Sequence, residues 1–190
     1  MLEREQADKV QAQLLRRVAA RDAQAMAEFY DQTVAPLYSV AVRILGDGSE
    51  AEEVIQDAFV QIWEKATTFD PMLGSAFHWA LSITRHRSID RLRARARQSR
   101  LITAYQEISE VDPPAMGGPE QSAGDAEEYA AVRAALVSLP SEQKQAIEMA
   151  FFGGRTHLEI AEALQAPLGT IKARIRRGML KLREKLQTSA

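Results

Sequence analysis

The stretch that most constrains this chain is Thr156 to Leu186, THLEIAEALQAPLGTIKARIRRGMLKLREKL. It predicts two helices separated by a tight turn, the second strongly basic. Thr156 is placed to N-cap the first helix and Glu159 follows three residues later, the spacing of a capping box, in which each side chain takes the other residue's orphan amide. Leu158, Ile160, Ala161 and Leu164 give the short helix an apolar side. Gln165 to Gly169 breaks it, because Pro167 cannot continue a helix and Gly169 is free in its dihedrals. Thr170 then opens the second helix. On a helical wheel Ile171, Ile175, Met179, Leu182 and Leu186 form one narrow stripe. Lys172, Arg176 and Arg183 flank that stripe, while Thr170, Ala173, Arg174, Arg177 and Lys181 lie away from it. A buried seam, cations for phosphates and guanine edges, and small residues for close approach are what a helix in the DNA major groove needs. The plain alternative is an amphipathic helix with a solvated basic face. The capped helix and short turn ahead of it favour DNA binding.

Charge is unevenly spread along the 190 residues. The net charge of −2 argues by itself against a simple nucleic-acid binder, but distribution matters more than total. Arg85 to Arg100 holds seven arginines against one acid, Asp90, and Tyr105 to Glu128 holds seven acids and no Lys or Arg. Cysteine is absent, which removes disulfides, thiolate catalysis and Cys-based zinc sites. His78, His86 and His157 are scattered, with no carboxylates at metal-ligand spacing. No nucleophile–base pair or phosphate loop is present, so an enzyme, a cofactor, a metal and a small-molecule substrate are not expected. No apolar run approaches membrane-spanning length, and MLEREQADK is charged where a signal peptide would be apolar. The expectation is a cytoplasmic protein that is not membrane-inserted.

Clear apolar/polar alternation is missing, so the expected fold is all-α: two small helical domains joined by a flexible acidic linker. Val10, Leu14 and Val18 suggest a first helix, Asp22 caps a second with Met26, Phe29 and Tyr30, and Pro36 begins a third that Gly46-Asp47-Gly48 ends. Ser49, with Glu52 at the box position, is expected to cap a helix whose core stripe runs from Ala51 to Ala66. Its other side carries Glu53, Gln56, Asp57, Gln61 and Glu64, either a solvated acidic face or a ridge that docks on a protein. Phe69 to Gly74 is a loop, and Ser75 begins a helix with Phe77, Trp79, Leu81 and Ile83. From Arg85 that helix is basic around nearly its whole circumference, so it is expected to project from the core and meet a polyanion. Residues 1–104 form the first domain. The linker, 105–128, is too polar and Pro/Gly-rich to offset its ordering entropy, and its acids could rest on the basic surfaces when DNA is absent. Residues 129–190 form a four-helix domain ending in the helix-turn-helix, with Leu139-Pro140 stopping one helix and Ser141 capping the next.

These residues resemble a bacterial RNA polymerase sigma factor of the sigma-70 family, in particular the small extracytoplasmic-function (ECF) type. The resemblance runs from about Leu14 to Leu186 and lapses only in the linker. It is carried by Leu37-Tyr38 through Leu45-Gly46-Asp47, by Ala51 through Phe59 with Trp63, and by Phe69, Ser75-Ala76-Phe77 and Trp79 through Arg93. In the second half it is carried by Leu139-Pro140, Glu159-Ile160-Ala161 and Gly169 through Arg174. The resemblance implies that Glu53, Gln56, Asp57 and Gln61 contact the clamp helices of core RNA polymerase. It implies that Phe69, Ser75, Phe77, Trp79, Arg85, His86, Arg87 and Arg91 serve the −10 element. There an extruded non-template base is stacked and hydrogen-bonded, and the arginines hold phosphates at the duplex-to-single-strand junction. Thr170, Lys172, Ala173, Arg174, Arg176, Arg177 and Lys181 would read the −35 duplex. Core polymerase, through clamp and flap, double- and single-stranded promoter DNA and an anti-sigma factor are the implied partners. His86 stands where the family often has asparagine, and Phe152-Gly153-Gly154-Arg155 replaces a more usual acidic-glycine pair; both bear on promoter preference.

Two other classes fit parts of the chain. A conventional regulator with an N-terminal sensing domain would dimerise and carry a ligand pocket, and would not need the second basic segment or the aromatic loop. An interaction protein whose basic helices meet an acidic partner would bind in a salt-dependent way without promoter selectivity.

Overall fold

The computed structural model describes the backbone of residues 2–103 and 134–188, and side chains over 6–98 and 134–186. Among these residues every regular element is helical and there is no strand. The chain divides into two compact units, 1–119 and 120–190. The linker expected at 105–128 and the expected domain limits at 104 and 129 lie outside the described residues.

The first unit holds α1 (Leu2–Ala19), α2 (Ala23–Leu45), α3 (Gly48–Lys65), a 3-10 turn (Ala66–Thr68) and α4 (Ala76–Thr103). Leu15, Val18, Phe29, Leu37, Leu45 and Ile62 are fully buried at its centre, each contributing roughly 1.5–3 kcal/mol relative to exposure. Residues expected to make two helices around Pro36 make one, with the proline inside it. Pro36 removes an i→i−4 hydrogen bond, but Phe29, Thr33, Leu37 and Ala41 are all buried on one face. That burial, on both sides of the proline, holds the helix through the defect. The buried Thr33 hydroxyl is satisfied by donating to the Phe29 carbonyl at 2.6 Å.

Only one residue separates the ordered end of α2 from the cap of α3. Gly46, at φ 69°, donates its N–H to Val42 O, and Asp47 Oδ1 accepts from Glu50 N at 2.9 Å. Asp47, not Ser49, is therefore the N-cap: the left-handed glycine delivers the chain directly into the cap, and Ser49 is already inside the helix. Ser75 does cap α4, its Oγ accepting from His78 N at 3.3 Å. On α4 the residues Ala76, Ala80, Thr84 and Ser88, four apart, are all fully buried. Small side chains there bring α4 close against its neighbours. The hydroxyls of Thr84 and Ser88 donate back to Ala80 O and Thr84 O. Ile89 is buried and Leu92 packs on the same core. The basic segment therefore does not leave the core at Arg85 as expected, because this inner stripe continues beneath the arginines.

In the second unit, residues 134–137 are helical, followed by α5 (Ser141–Phe151), α6 (His157–Ala163) and α7 (Leu168–Thr188). Pro140, not Ser141, occupies the cap of α5. Its carbonyl accepts from Gln143 N and Lys144 N, and no side chain caps the end. Leu136, Leu139 and Ile147 pack with Ile175 and Leu182, while Ile160, Ala161 and Ile171 pack with Met149, Ala150, Leu164 and Ala166. The seam of α7 differs from the wheel in one place. Met179 is 53% exposed, whereas Gly178 is buried, and a Cβ on Gly178 would lie 2.6 Å from Ile147 Cδ1. The missing side chain lets α5 and α7 approach, which turns the stripe by one residue. Leu158, expected on the inner side of α6, is 58% exposed.

Candidate nucleic-acid interface

Thr156 and Glu159 form the capping box the spacing predicts: Glu159 N donates to Thr156 Oγ1 at 3.2 Å, and Thr156 N to Glu159 Oε2 at 2.6 Å. The turn after α6 is built differently from the expectation. Gln165 takes the left-handed conformation, φ 47°, and Gly169 already lies in the first turn of α7. Pro167 precedes α7, its carbonyl accepting from Thr170 N and Ile171 N. Ala166 tucks into the small core between α6 and α7. The shift has a simple cause: Leu168 begins the helix, so the left-handed residue must lie before the proline.

The cations of α7 are not equivalent. Lys172, Arg176 and Lys181 are exposed and make no ion pair among the described residues. Arg177 is exposed and its Nε donates to its own helix at Ala173 O, 3.3 Å. Arg174 instead turns toward α5, with Nη2 2.9 Å from Glu142 Oε2 and the side chain only 20% exposed. Thr170 and Ala173 are half-buried beside these cations. The outer face is thus a row of free cations with small side chains between them.

In the first unit Phe69 packs against Trp79 with ring centroids 5.8 Å apart. Phe69, Phe77 and Trp79 are all partly buried against the core. The loop between is tied by Asp70, whose Oδ1 accepts from Met72 N at 2.9 Å. Met72 and Leu73 stand 88% exposed at its tip. Ser75 Oγ lies 2.7 Å from His78 Nδ1. Trp79, His86 and Arg87 share an open cleft of about 370 Å³ with Gln61, Lys65, Thr68, Ile83 and Asp90. The sequence reading missed Lys65, Thr68, Ile83 and Asp90. Trp79, Ile83, His86 and Asp90 do fall on one face of α4 by spacing, but Lys65 and Thr68 come from α3 and the 3-10 turn, which spacing cannot bring in.

Three arginines of α4, Arg87, Arg91 and Arg95, bond to polar side chains of α3. Arg87 Nε donates to Gln61 Oε1 at 2.8 Å, and Arg91 Nη2 to Glu53 Oε2 at 2.8 Å. Arg91 Nε also lies 3.5 Å from Glu50 Oε1. Arg95 joins three helices, donating to Glu50 Oε2 at 3.1 Å and to Leu45 O, at the end of α2, at 3.2 Å. Gln56 and Asp57 on the same ridge are exposed without a hydrogen bond or ion pair among the described residues. Arg85 is half-buried; burial, and secondarily the charge of Arg93, holds its guanidinium below the usual arginine range. The structure therefore brings together residues the sequence reading kept apart. Glu53 and Gln61 of the ridge lie directly on Arg91 and Arg87 of the basic helix.

Comparison with known proteins gives the family. The Sigma-70 region 2 family matches residues 29–98, and the Sigma-70 region 4 family matches residues 135–184. The ECF RNA polymerase sigma factor SigK of Mycolicibacterium vanbaalenii is 40% identical over 171 residues, 90% of this chain and 86% of that protein. The SigK of Mycobacterium tuberculosis is 37% identical over 177 residues, 93% of each chain. A solved structure of Rhodobacter sphaeroides SigE in complex with the anti-sigma ChrR is 31% identical, spans 93% of this chain and 98% of that one, and has a TM-score of 0.47. Among the described residues no helix is long and apolar enough to cross a membrane. With both Sigma-70 regions in order and such identity over nearly the whole length, the chain belongs to the ECF RNA polymerase sigma factors, which are transcription initiation factors.

Proposed function

We propose that the two units divide promoter recognition, the second reading the −35 duplex and the first opening and holding the −10 element on core polymerase. The observation that carries this reading is the outer face of α7. Lys172, Arg176 and Lys181 stand exposed, without an ion pair among the described residues, on a helix-turn-helix whose first helix is fixed by a full capping box. Thr170, Ala173 and Arg177 complete that face, and Arg174 reaches DNA by giving up Glu142. In the first unit the cleft beside Trp79 offers a ring for stacking and polar groups from His86, Arg87 and Asp90, which suits an extruded base. Phe69, Ser75 and Phe77 shape its approach, and Arg85, Arg87 and Arg91 hold the adjoining phosphates. Glu53, Gln56, Asp57 and Gln61 face the polymerase clamp.

Melting then follows from differential binding: extruded bases are held better than paired ones, so the open form gains population. The chain carries specificity to polymerase rather than catalysing a reaction itself, works in the cytoplasm with the polymerase, and is controlled by an anti-sigma factor. Run-off transcription tests the whole reading. Core polymerase with a pool of promoter fragments should give discrete start sites only when the chain is added. Chain-independent transcription, or dimeric duplex binding with no start sites, would favour a conventional regulator instead.

A further inference from the structure

A serine hydroxyl has one proton to donate and two lone pairs that accept, and at the start of α4 most of that capacity is already used. Ser75 Oγ accepts from His78 N at 3.3 Å and lies 2.7 Å from His78 Nδ1. The second separation is the usual one for an O–H donor and the short limit for an N–H donor. The hydroxyl therefore donates to Nδ1, and the imidazole keeps its own proton on Nε2. The Phe77 ring meets the imidazole edge to face, centroids 5.9 Å apart, and steadies it. What remains on Ser75 Oγ is one lone pair and no proton.

That lone pair is placed near the cleft. Ser75 is half-buried and lies one turn before Trp79 on the same side of α4, with Trp79 N donating to Ser75 O at 3.0 Å. Trp79 lines the open cleft. A base stacked beside Trp79 meets, one turn up the helix, a side-chain oxygen that can only accept.

We propose that His78, by taking the Ser75 proton, makes Ser75 a reader of amino groups, so that the extruded −10 base is cytosine or adenine and thymine is rejected. Cytosine presents its N4 amino group and adenine its N6 amino group where thymine presents O4. A carbonyl oxygen set against the Ser75 lone pair leaves two acceptors facing each other with no proton between them. His78 is a positioning residue in this scheme: it contacts no base and acts through the Ser75 hydroxyl. The inference rests on the reading of the first unit as the holder of the −10 base. An acceptor left unpaired in this way lowers affinity by about 10-fold.

The test uses the full chain on core polymerase, titrated by anisotropy with a fluorescent fork-junction oligonucleotide that carries the −10 element mapped by run-off. An abasic scan of the non-template strand identifies the extruded position as the one whose base matters most. There the amino base, cytosine or adenine, is compared with its carbonyl counterpart, uracil or hypoxanthine. The parent chain should bind the amino base about 10-fold tighter. His78→Phe keeps an aromatic ring and leaves Ser75 capping α4, but frees the hydroxyl to donate to a carbonyl. Its ratio should fall to about 2-fold or less. Ser75→Ala should lower the ratio as well. The ratio is internal to each variant, so a general loss of stability does not move it. A parent chain with no preference for the amino base, or a ratio that survives His78→Phe or Ser75→Ala, overturns the proposal and leaves base capture standing. A flat abasic scan means instead that no base is captured, and the reading of the first unit itself has failed.

Discussion

The helices α4 and α7 are both rich in arginine, and both lie on a core through an inner buried stripe, of small side chains on α4 and of apolar ones on α7. They differ in what stands beside them. Along α4 the neighbouring α3 presents Glu50, Glu53 and Gln61, and Arg87, Arg91 and Arg95 bond to them. Along α7 the neighbouring α5 presents Glu142, which takes Arg174, and leaves Lys172, Arg176 and Lys181 to solvent. Density of charge along a sequence is thus a poor measure of charge available to a partner. What counts is the polar inventory of the element packed against it.

The largest expected effect concerns the scaffold under α7. Ile171 is fully buried between α6 and α7, and Ile171→Ala should destabilise the second unit by roughly 2–5 kcal/mol, as large-to-small core changes do. Chemical denaturation reads this directly, and −35 duplex binding should fall with it; a stable variant that still binds would mean α7 is held by something other than this seam.

The next effect puts the two basic helices against each other. Arg176→Ala should weaken −35 duplex binding by about tenfold and lower the salt slope by about 1. Arg91→Ala should weaken fork-junction binding by only about threefold, because the DNA contact replaces an existing pair. Equal losses in parallel salt titrations would erase the distinction drawn between the helices.

Arg95 and Lys181 give a comparison of stability rather than binding. Arg95→Ala removes a tie to Glu50 and to the Leu45 carbonyl, and should lower stability by about 1 kcal/mol. Lys181→Ala should stay within about 0.5 kcal/mol of the parent chain. Thermal unfolding separates the two.

A smaller effect depends on pH. The Asp22 carboxyl, which caps α2, is held below its ordinary range first by the Ala25 backbone N–H and then by the hydrogen bond from Arg17. A carboxylate depressed in the folded state stabilises above its unfolded pKa and loses that contribution as pH falls through the folded one. Asp22→Asn should therefore flatten the acid limb of a stability-against-pH curve and leave its alkaline limb alone. The smallest effect is at the turn before α7. Gln165→Gly should be neutral or stabilise by up to about 1 kcal/mol, since φ 47° strains any residue with a Cβ. Gln165→Val should destabilise.

Much of this was legible in the sequence because it is local. The Thr156/Glu159 box, the Asp22 cap and the glycine that ends α2 each depend on a few neighbouring residues, and each formed as its spacing predicts. The order of helices and the two Sigma-70 regions followed from periodicity and from motif residues that lie close together along the chain. Where the reading strayed, a distant element decided. Burial on both sides of Pro36 overrode its power to break a helix. Gly178 meeting Ile147 turned the seam of α7 away from Met179. The continued inner stripe of Ala80, Thr84, Ser88 and Ile89 kept the arginines of α4 on the core.

The same division holds for the interface. Sequence alone determined which helical faces carry charge and aromatic rings, because these are properties of a residue and its near neighbours, and it left their roles toward DNA and polymerase to the resemblance. Tertiary structure alone decided which of those charges are free. Glu53 and Arg91 are 38 residues apart in the chain and Gln61 and Arg87 are 26 apart, and hydrogen bonds depend on ångström distances that only the packing of α3 against α4 sets.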